Sequence, residues 1–249
     1  MTMTIILGDG ALGRAVEAAL TARAGGSGPA DQIRLLGRPP SGRHDPTALA
    51  GADLIVEASR PDAVVANLAA GLEAGARRAV IATTGWEADR SRVESLLHEY
   101  GGAAVAASNF SLGVVLFGRV VDAAVALFGR LDAFDPYLLE WHRRAKRDRP
   151  SGTAVDLARR IVAGHPRLTD PEDLEVVSVR AGSSPGMHLV GFDAAGETVE
   201  LRLTARDRSA YAAGILAAAD WLGQAPREPG LHAFDPIVDE LVARDPIAA

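Results

Sequence analysis

Along the first 110 positions, apolar residues recur in short runs of four or five, separated by longer stretches with helical spacing. Met3 to Leu7, Ile33 to Leu36, Leu54 to Ala58, Ala79 to Ala82 and Ala103 to Ala106 read as strands. They are nearly continuous apolar runs, as expected of strands covered on both faces. Between them, Arg14 to Ala24, Ala63 to Ala74 and Glu87 to Tyr100 carry the helical pattern. Strands alternating with helices predict an α/β domain with a doubly wound parallel sheet of Rossmann type. After residue 130 the pattern changes. "YLLEWH" predicts a strand with Leu138, Glu140 and His142 on one face and Tyr137, Leu139 and Trp141 on the other. "SGTAVDLARRIVAG" predicts a helix, and Leu174 to Arg206 predicts three strands joined through Gly182 to Gly186 and Ala194 to Gly196, together a smaller α+β domain. The helix from Arg208 to Leu222 and the tail beyond it are expected to return to the first domain. Residues 1–110 plus 211–249 then form one domain and 111–210 the other.

The most apolar stretch, Phe110 to Leu131, is interrupted by Arg119 and Asp122, so it lacks the roughly 18 uninterrupted apolar residues of a membrane span. A buried helix pair or helix and loop is expected there, and no membrane partner. The 249 residues, 48% hydrophobic and 23% charged, describe a globular protein. Cysteine is absent, which excludes disulfides, thiolate metal sites and cysteine nucleophiles and makes a cytoplasmic location the expectation. No metal is expected, because His, Asp and Glu show no ligand spacing. A net charge of −6 and few aromatics argue against a nucleic-acid partner.

Two segments carry candidate chemistry. In "ILGDGALGRAV" three glycines follow a strand and open a helix. Gly8 permits the tight turn, Gly10 lets a pyrophosphate approach the backbone, and Gly13 lets the helix pack closely on the sheet, the fingerprint of a dinucleotide site. Ala11 and Leu12 complete the loop. An acidic residue ending the second strand would bind the ribose of NAD. Here Gly37 takes that place and Arg38 follows, with Arg43 nearby, which favours a 2′-phosphate and so NADPH as preferred cofactor with NADH possible.

The second segment, "EWHRRAKRDRPSGTAVDLARRI", gathers His142, Arg143 and Lys146 just before Ser151, an N-cap for the following helix. The amides of Gly152 and Thr153 and the Thr153 hydroxyl would then face an anion. With Lys146 as a point charge and His142 as a proton donor, the stretch can bind an acidic organic substrate and protonate it. A solvated basic surface is the competing interpretation.

The string Glu140-x-His142-x-x-x-Lys146-x-Asp148-x-Pro150-Ser151-Gly152-Thr153-Ala154 resembles the signature of the 4-hydroxy-tetrahydrodipicolinate reductase family. "ATTGW" at 82 to 86, "SNFSLGV" at 108 to 114 and "VRAGSSPGMHLVGF" at 179 to 192 are similar to further segments of that family. The resemblance implies NAD(P)H-dependent reduction of a small cyclic imine dicarboxylate in lysine and diaminopimelate synthesis, by a homotetramer. It makes His142 the general acid with Lys146 in the same catalytic site, and Arg143, Ser151, Gly152 and Thr153 substrate-binding. Ser59, Thr83, Thr84 and Gly85, and Ser108, Asn109 and Phe110, would lie by the cofactor. Departures are equally specific. Arg143 replaces a usual second His, Ala145 another frequent His, and Leu203 a third; the phosphate loop lacks its usual Arg, and Glu57-Ala58-Ser59-Arg60-Pro61 replaces Asp-Phe-Thr-x-Pro. They leave open an imine reductase or amine dehydrogenase acting on another small carboxylate, or a dinucleotide-binding paralogue without turnover.

Overall fold

In the computed structural model, the described residues are 2–24, 32–39 and 41–244; the Gly/Pro-rich connection at 25 to 30 and the end of the expected tail lie outside them. They form two compact units. One runs to Leu112 and resumes at Arg208; the other is Gly113–Asp207.

The first unit is built on a six-stranded sheet: β1 (Met3–Leu7), β2 (Gln32–Leu36), β3 (Leu54–Glu57), β4 (Arg78–Ile81), β5 (Ala103–Ala106) and β10 (Gly230–Ala233). Their spatial order is β10-β5-β4-β3-β1-β2, and every neighbouring pair is parallel. Parallel strands need crossovers, supplied by α1 (Ala11–Ala24), α2 (Val64–Glu73) and α3 (Arg90–Tyr100). β3 is buried along its whole length, as its unbroken apolar run requires under helices on both faces. β10 was not foreseen from the sequence. Its four residues are too short a signal beside Pro226 and Pro229, and the sheet edge along β5 recruits them. It follows α6 (Ser209–Gln224) and precedes α7 (Phe234–Arg244).

The second unit has a mixed sheet of β6 (Asp135–His142), β7 (Glu175–Arg180), β8 (Met187–Ala194) and β9 (Glu197–Thr204) in the order β7-β6-β8-β9. α5 (Gly152–Gly164) makes the crossover between the parallel strands β6 and β7. Of the two arrangements expected for Phe110 to Leu131, a helix pair or a helix and loop, the second is found. The stretch contains one continuous helix, α4 (Leu112–Phe128). The charges inside it are accommodated laterally: Asp122 accepts from Arg160 of α5 at 2.8 Å, and the same guanidinium also binds Asp156 at 2.8 Å. The core joins Val121 and Val125 of α4, Leu157 and Ile161 of α5, and Leu138, Val190 and Phe192 of the sheet. Burying Leu157 and Ile161 contributes roughly 1.5–3 kcal/mol each. The opposite sheet face carries Tyr137 over Gly191, where any Cβ would lie 2.2 Å from the ring. Among the described residues, no helix is long and apolar enough to cross a membrane.

Candidate active site

The first unit presents a glycine turn at the carboxyl end of its sheet. Gly8 has φ +114, and a Cβ there would sit 2.4 Å from the Ala58 carbonyl oxygen. At Gly13 a Cβ would meet the Gly8 carbonyl at 1.8 Å, so the close helix packing demands glycine. Around Gly10 nothing lies within 4 Å of that position, leaving bare backbone one residue before α1 begins. That open approach at a helix start fits the pyrophosphate of a dinucleotide. Beside it is a cavity of about 230 Å³ lined by Gly8, Asp9, Arg38, His44, Ser59 and Asn67, among others. Burial lowers the His44 pKa, favouring the neutral ring.

The other residues expected near a cofactor divide into two groups. Ala11, Leu12, Ser108, Thr84 and Gly85 are at least partly accessible. Thr83 is buried and its hydroxyl donates to Glu57 Oε1 at 3.2 Å. Glu57 also accepts from Asn67 Nδ2 at 2.8 Å and from the Ser59 amide at 2.9 Å, with the Ser59 hydroxyl a further donor. Burial raises the Glu57 pKa, the hydrogen bonds from Ser59, Asn67 and Thr83 opposing it. Asn109 Oδ1 accepts from the Ser111 amide at 2.8 Å. The Phe110 side chain is 2% exposed and packs on Phe234 with ring centroids 4.9 Å apart. It anchors the loop in the core. Of the arginines near the turn, Arg43 is paired with Glu73, and Arg60, which also lines the cavity, with Asp62. Arg38 lines the cavity.

In the second unit, strand register creates the site. Ser178, Glu140, His188 and Leu203 stand side by side across β7, β6, β8 and β9. Glu140 is completely buried. Its Oε1 accepts from Arg180 Nη2 at 2.7 Å, Ser178 Oγ at 2.5 Å and the Ser151 amide at 3.0 Å. Its Oε2 faces His142 Nδ1 at 3.3 Å and His188 Nε2 at 3.7 Å. Burial alone would raise the Glu140 pKa; the hydrogen bonds from Ser151, Ser178 and Arg180 outweigh it and hold the carboxyl at about 2. Ser151 caps α5 through Ala154 N and sits 3.1 Å from His188 Nε2, so its hydroxyl is held within the network. Gly152 is exposed with open space around it, and Thr153 is half-buried. Lys146, expected as a point charge, is paired with Asp148 at 2.9 Å. Arg143 is exposed.

Arg180 and His188 were not singled out as site residues from the sequence, although both stand in the "VRAGSSPGMH" segment. Their signal is positional: only strand register places them against Glu140. Glu140, His142 and His188 also form a trio of metal-ligating type, with ligand atoms within 4.8 Å of one another. The Arg180 guanidinium on Glu140 already supplies the positive charge that a cation would bring.

This arrangement makes folding stability sensitive to acid. Burial, and then the neighbouring His142, lower the His188 pKa from 6.5 to about 4. Between those values the unfolded chain binds a proton that the folded chain refuses, so stability falls as pH drops from 6.5 towards 4. Glu140, held at about 2 against 4.5, extends the loss below pH 4.5. Urea titrations from pH 7 to 4 are expected to show a falling midpoint, and His188→Gln a shallower fall; identical slopes would exclude His188 as a source.

Known proteins share the sequence and fold of this chain. The family model described as "Dihydrodipicolinate reductase, C-terminus" matches residues 113–237. The 4-hydroxy-tetrahydrodipicolinate reductase of Wolinella succinogenes is 35% identical over 203 residues, covering 75% of this chain and 76% of that protein. The enzyme of the same name from Halorhodospira halophila is 34% identical over 209 residues, covering 78% and 76%. Among solved structures, a dipicolinate-bound dihydrodipicolinate reductase from Paenisporosarcina sp. TG-14 superposes with a TM-score of 0.65 at 18% identity, over 94% of this chain and 98% of that one. With a family model over half its length and relatives above 30% identity, the chain belongs to the dihydrodipicolinate reductase family.

Proposed function

We propose that this protein reduces 4-hydroxy-tetrahydrodipicolinate to tetrahydrodipicolinate in lysine and diaminopimelate synthesis, with NADPH as preferred reductant and NADH accepted. One observation carries the reading: His142 and the start of α5 meet at the same buried carboxylate, Glu140, which faces the imidazole at 3.3 Å and accepts from the Ser151 amide. A proton donor and a carboxylate-binding helix start are thereby held in one rigid frame.

A bound reduced nicotinamide supplies the hydride, ending as NAD(P)⁺. The substrate loses water to a conjugated cyclic imine, accepts hydride at C4 and takes up one proton, so the balance is substrate, NAD(P)H and H⁺ to product, NAD(P)⁺ and water. His142 gives that proton as negative charge builds on the conjugated system. The open backbone at Gly152 and the Thr153 hydroxyl hold one substrate carboxylate. Lys146 meets the other by exchanging its partner Asp148 for it. Glu140 keeps the imidazole oriented, and Arg180 keeps Glu140 ionised. Arg38 gives the reading its NADPH preference, by attraction to a 2′-phosphate.

The reading includes a cytoplasmic homotetramer joined through sheet faces. Trp141 and Val177, 39% and 41% exposed on the sheet face opposite the buried Leu138–Glu140–His142 side, supply apolar surface for it. A second reading, reduction of another small imine or oxo acid, draws on Arg143 and on Leu203, the strand partner of His188 where relatives often place a His.

The deciding experiment supplies the purified chain with enzymatically generated substrate and follows NADPH and NADH absorbance separately. Robust turnover supports the first reading, and turnover only on another acid the second. Dinucleotide binding without turnover would overturn both. Thr153→Val is expected to raise KM several-fold with little change in kcat, as for a contact made equally in ground and transition states. An unchanged KM would remove Thr153 from the site.

A further inference from the structure

The end of β2 lacks the carboxylate that usually holds an NAD ribose, since Gly37 stands there. A carboxylate is nevertheless present in that space. A Cβ built on Gly37 would lie 3.1 Å from Asp9 Oδ2 and 3.2 Å from Asp9 Cγ, so the Asp9 carboxylate lies directly against the point where a side chain at residue 37 would start. Asp9 comes from the glycine turn, between the tight-turn Gly8 and the open Gly10. Both Asp9 and Arg38 line the same cavity. Among the described residues, neither has an ion-pair partner. A negative group and a positive group, neither in an ion pair, thus line one cavity.

We propose that Asp9 is a cofactor-specificity residue, its carboxylate accepting hydrogen bonds from the adenosine-ribose hydroxyls of NADH and repelling the 2′-phosphate that Arg38 attracts. The chain has moved the ribose-binding carboxylate from the end of the second strand to the phosphate turn. The proposal rests on the dinucleotide reading above and goes further by naming what sets the choice of cofactor. An exposed aspartate beside a helix start has another use, favouring the helix dipole. That role would affect stability and both cofactors alike.

The test is equilibrium titration of the purified chain with NADH and with NADPH, followed by the fluorescence of the bound reduced nicotinamide, without substrate. Asp9→Asn is expected to weaken NADH binding about 10-fold, as for loss of a hydrogen bond to a charged group. NADPH affinity should hold or rise, so the ratio of the two constants moves at least 10-fold towards NADPH. Asp9→Ala combined with Gly37→Asp, which returns the carboxylate to the strand, is expected to restore NADH binding; Gly37 has no positive φ to forbid a side chain. Equal shifts for both cofactors, or none, would overturn the assignment while leaving the dinucleotide site standing. If the unaltered chain binds neither cofactor, the dinucleotide reading itself fails and this proposal falls with it.

Discussion

Replacing His142 by Gln is expected to lower kcat by roughly 10²–10⁴ while leaving NADH and NADPH affinity unchanged, because a glutamine is polar and similar in length but cannot deliver a proton. The glycine turn lies in the other unit, so binding titrations provide the internal control. The pH profile separates a proton donor from a structural imidazole. Burial lowers the His142 pKa below 6.5; Glu140 opposes that, while Lys146 and Arg180 reinforce it. In the free protein at pH 7 the ring is therefore mostly neutral, and a bound dicarboxylate shifts it towards the charged acid. kcat/KM, which reports the free protein, is expected to decline as pH rises through that lowered pKa. The variant should lose this inflection. A near-normal kcat with the inflection retained would refute the role.

The second large effect concerns Arg180. Its guanidinium and the Glu140 carboxylate are 1% and 0% exposed and meet at 2.7 Å. Arg180→Met would leave Glu140 buried with two hydrogen-bond donors and no opposing charge, and would strand the Val179 and Asp148 carbonyls that Arg180 now serves. Breaking a buried pair from one side costs about 3–5 kcal/mol. That loss should appear in the urea midpoint. Adding Glu140→Gln to the same chain removes the stranded charge and is expected to recover part of it. A loss below about 1 kcal/mol in the single variant would mean that Glu140 does not depend on Arg180 for its charge. The same variant is expected to raise the apparent pKa of activity on its acid limb, since a protonated Glu140 no longer orients His142.

Much of this organisation could be read from residue order. The apolar runs of the first unit, the glycine turn and the Ser151 cap are local properties, set by steric limits on the backbone and by which surfaces must leave water. Alternation along "YLLEWH" likewise put Glu140 and His142 on one face, and both are buried. The partner of Asp122 in α4 was not readable, because Arg160 is distant in sequence. Nor was the sequestration of Phe110 against Phe234, nor β10, which needs a sheet edge to join.

The sequence by itself determined the fold class, the family, and the residues able to carry charge and protons. Tertiary structure alone decided how those groups are paired. Register across three strands brings Ser178, Glu140 and His188 into one row and sets Arg180 beside His142, while the turn after β1 places Asp9 against Gly37. Pairing of this kind depends on distances between segments far apart in the chain, and hydrogen bonds and charges act over only a few ångströms, so no local pattern can encode it.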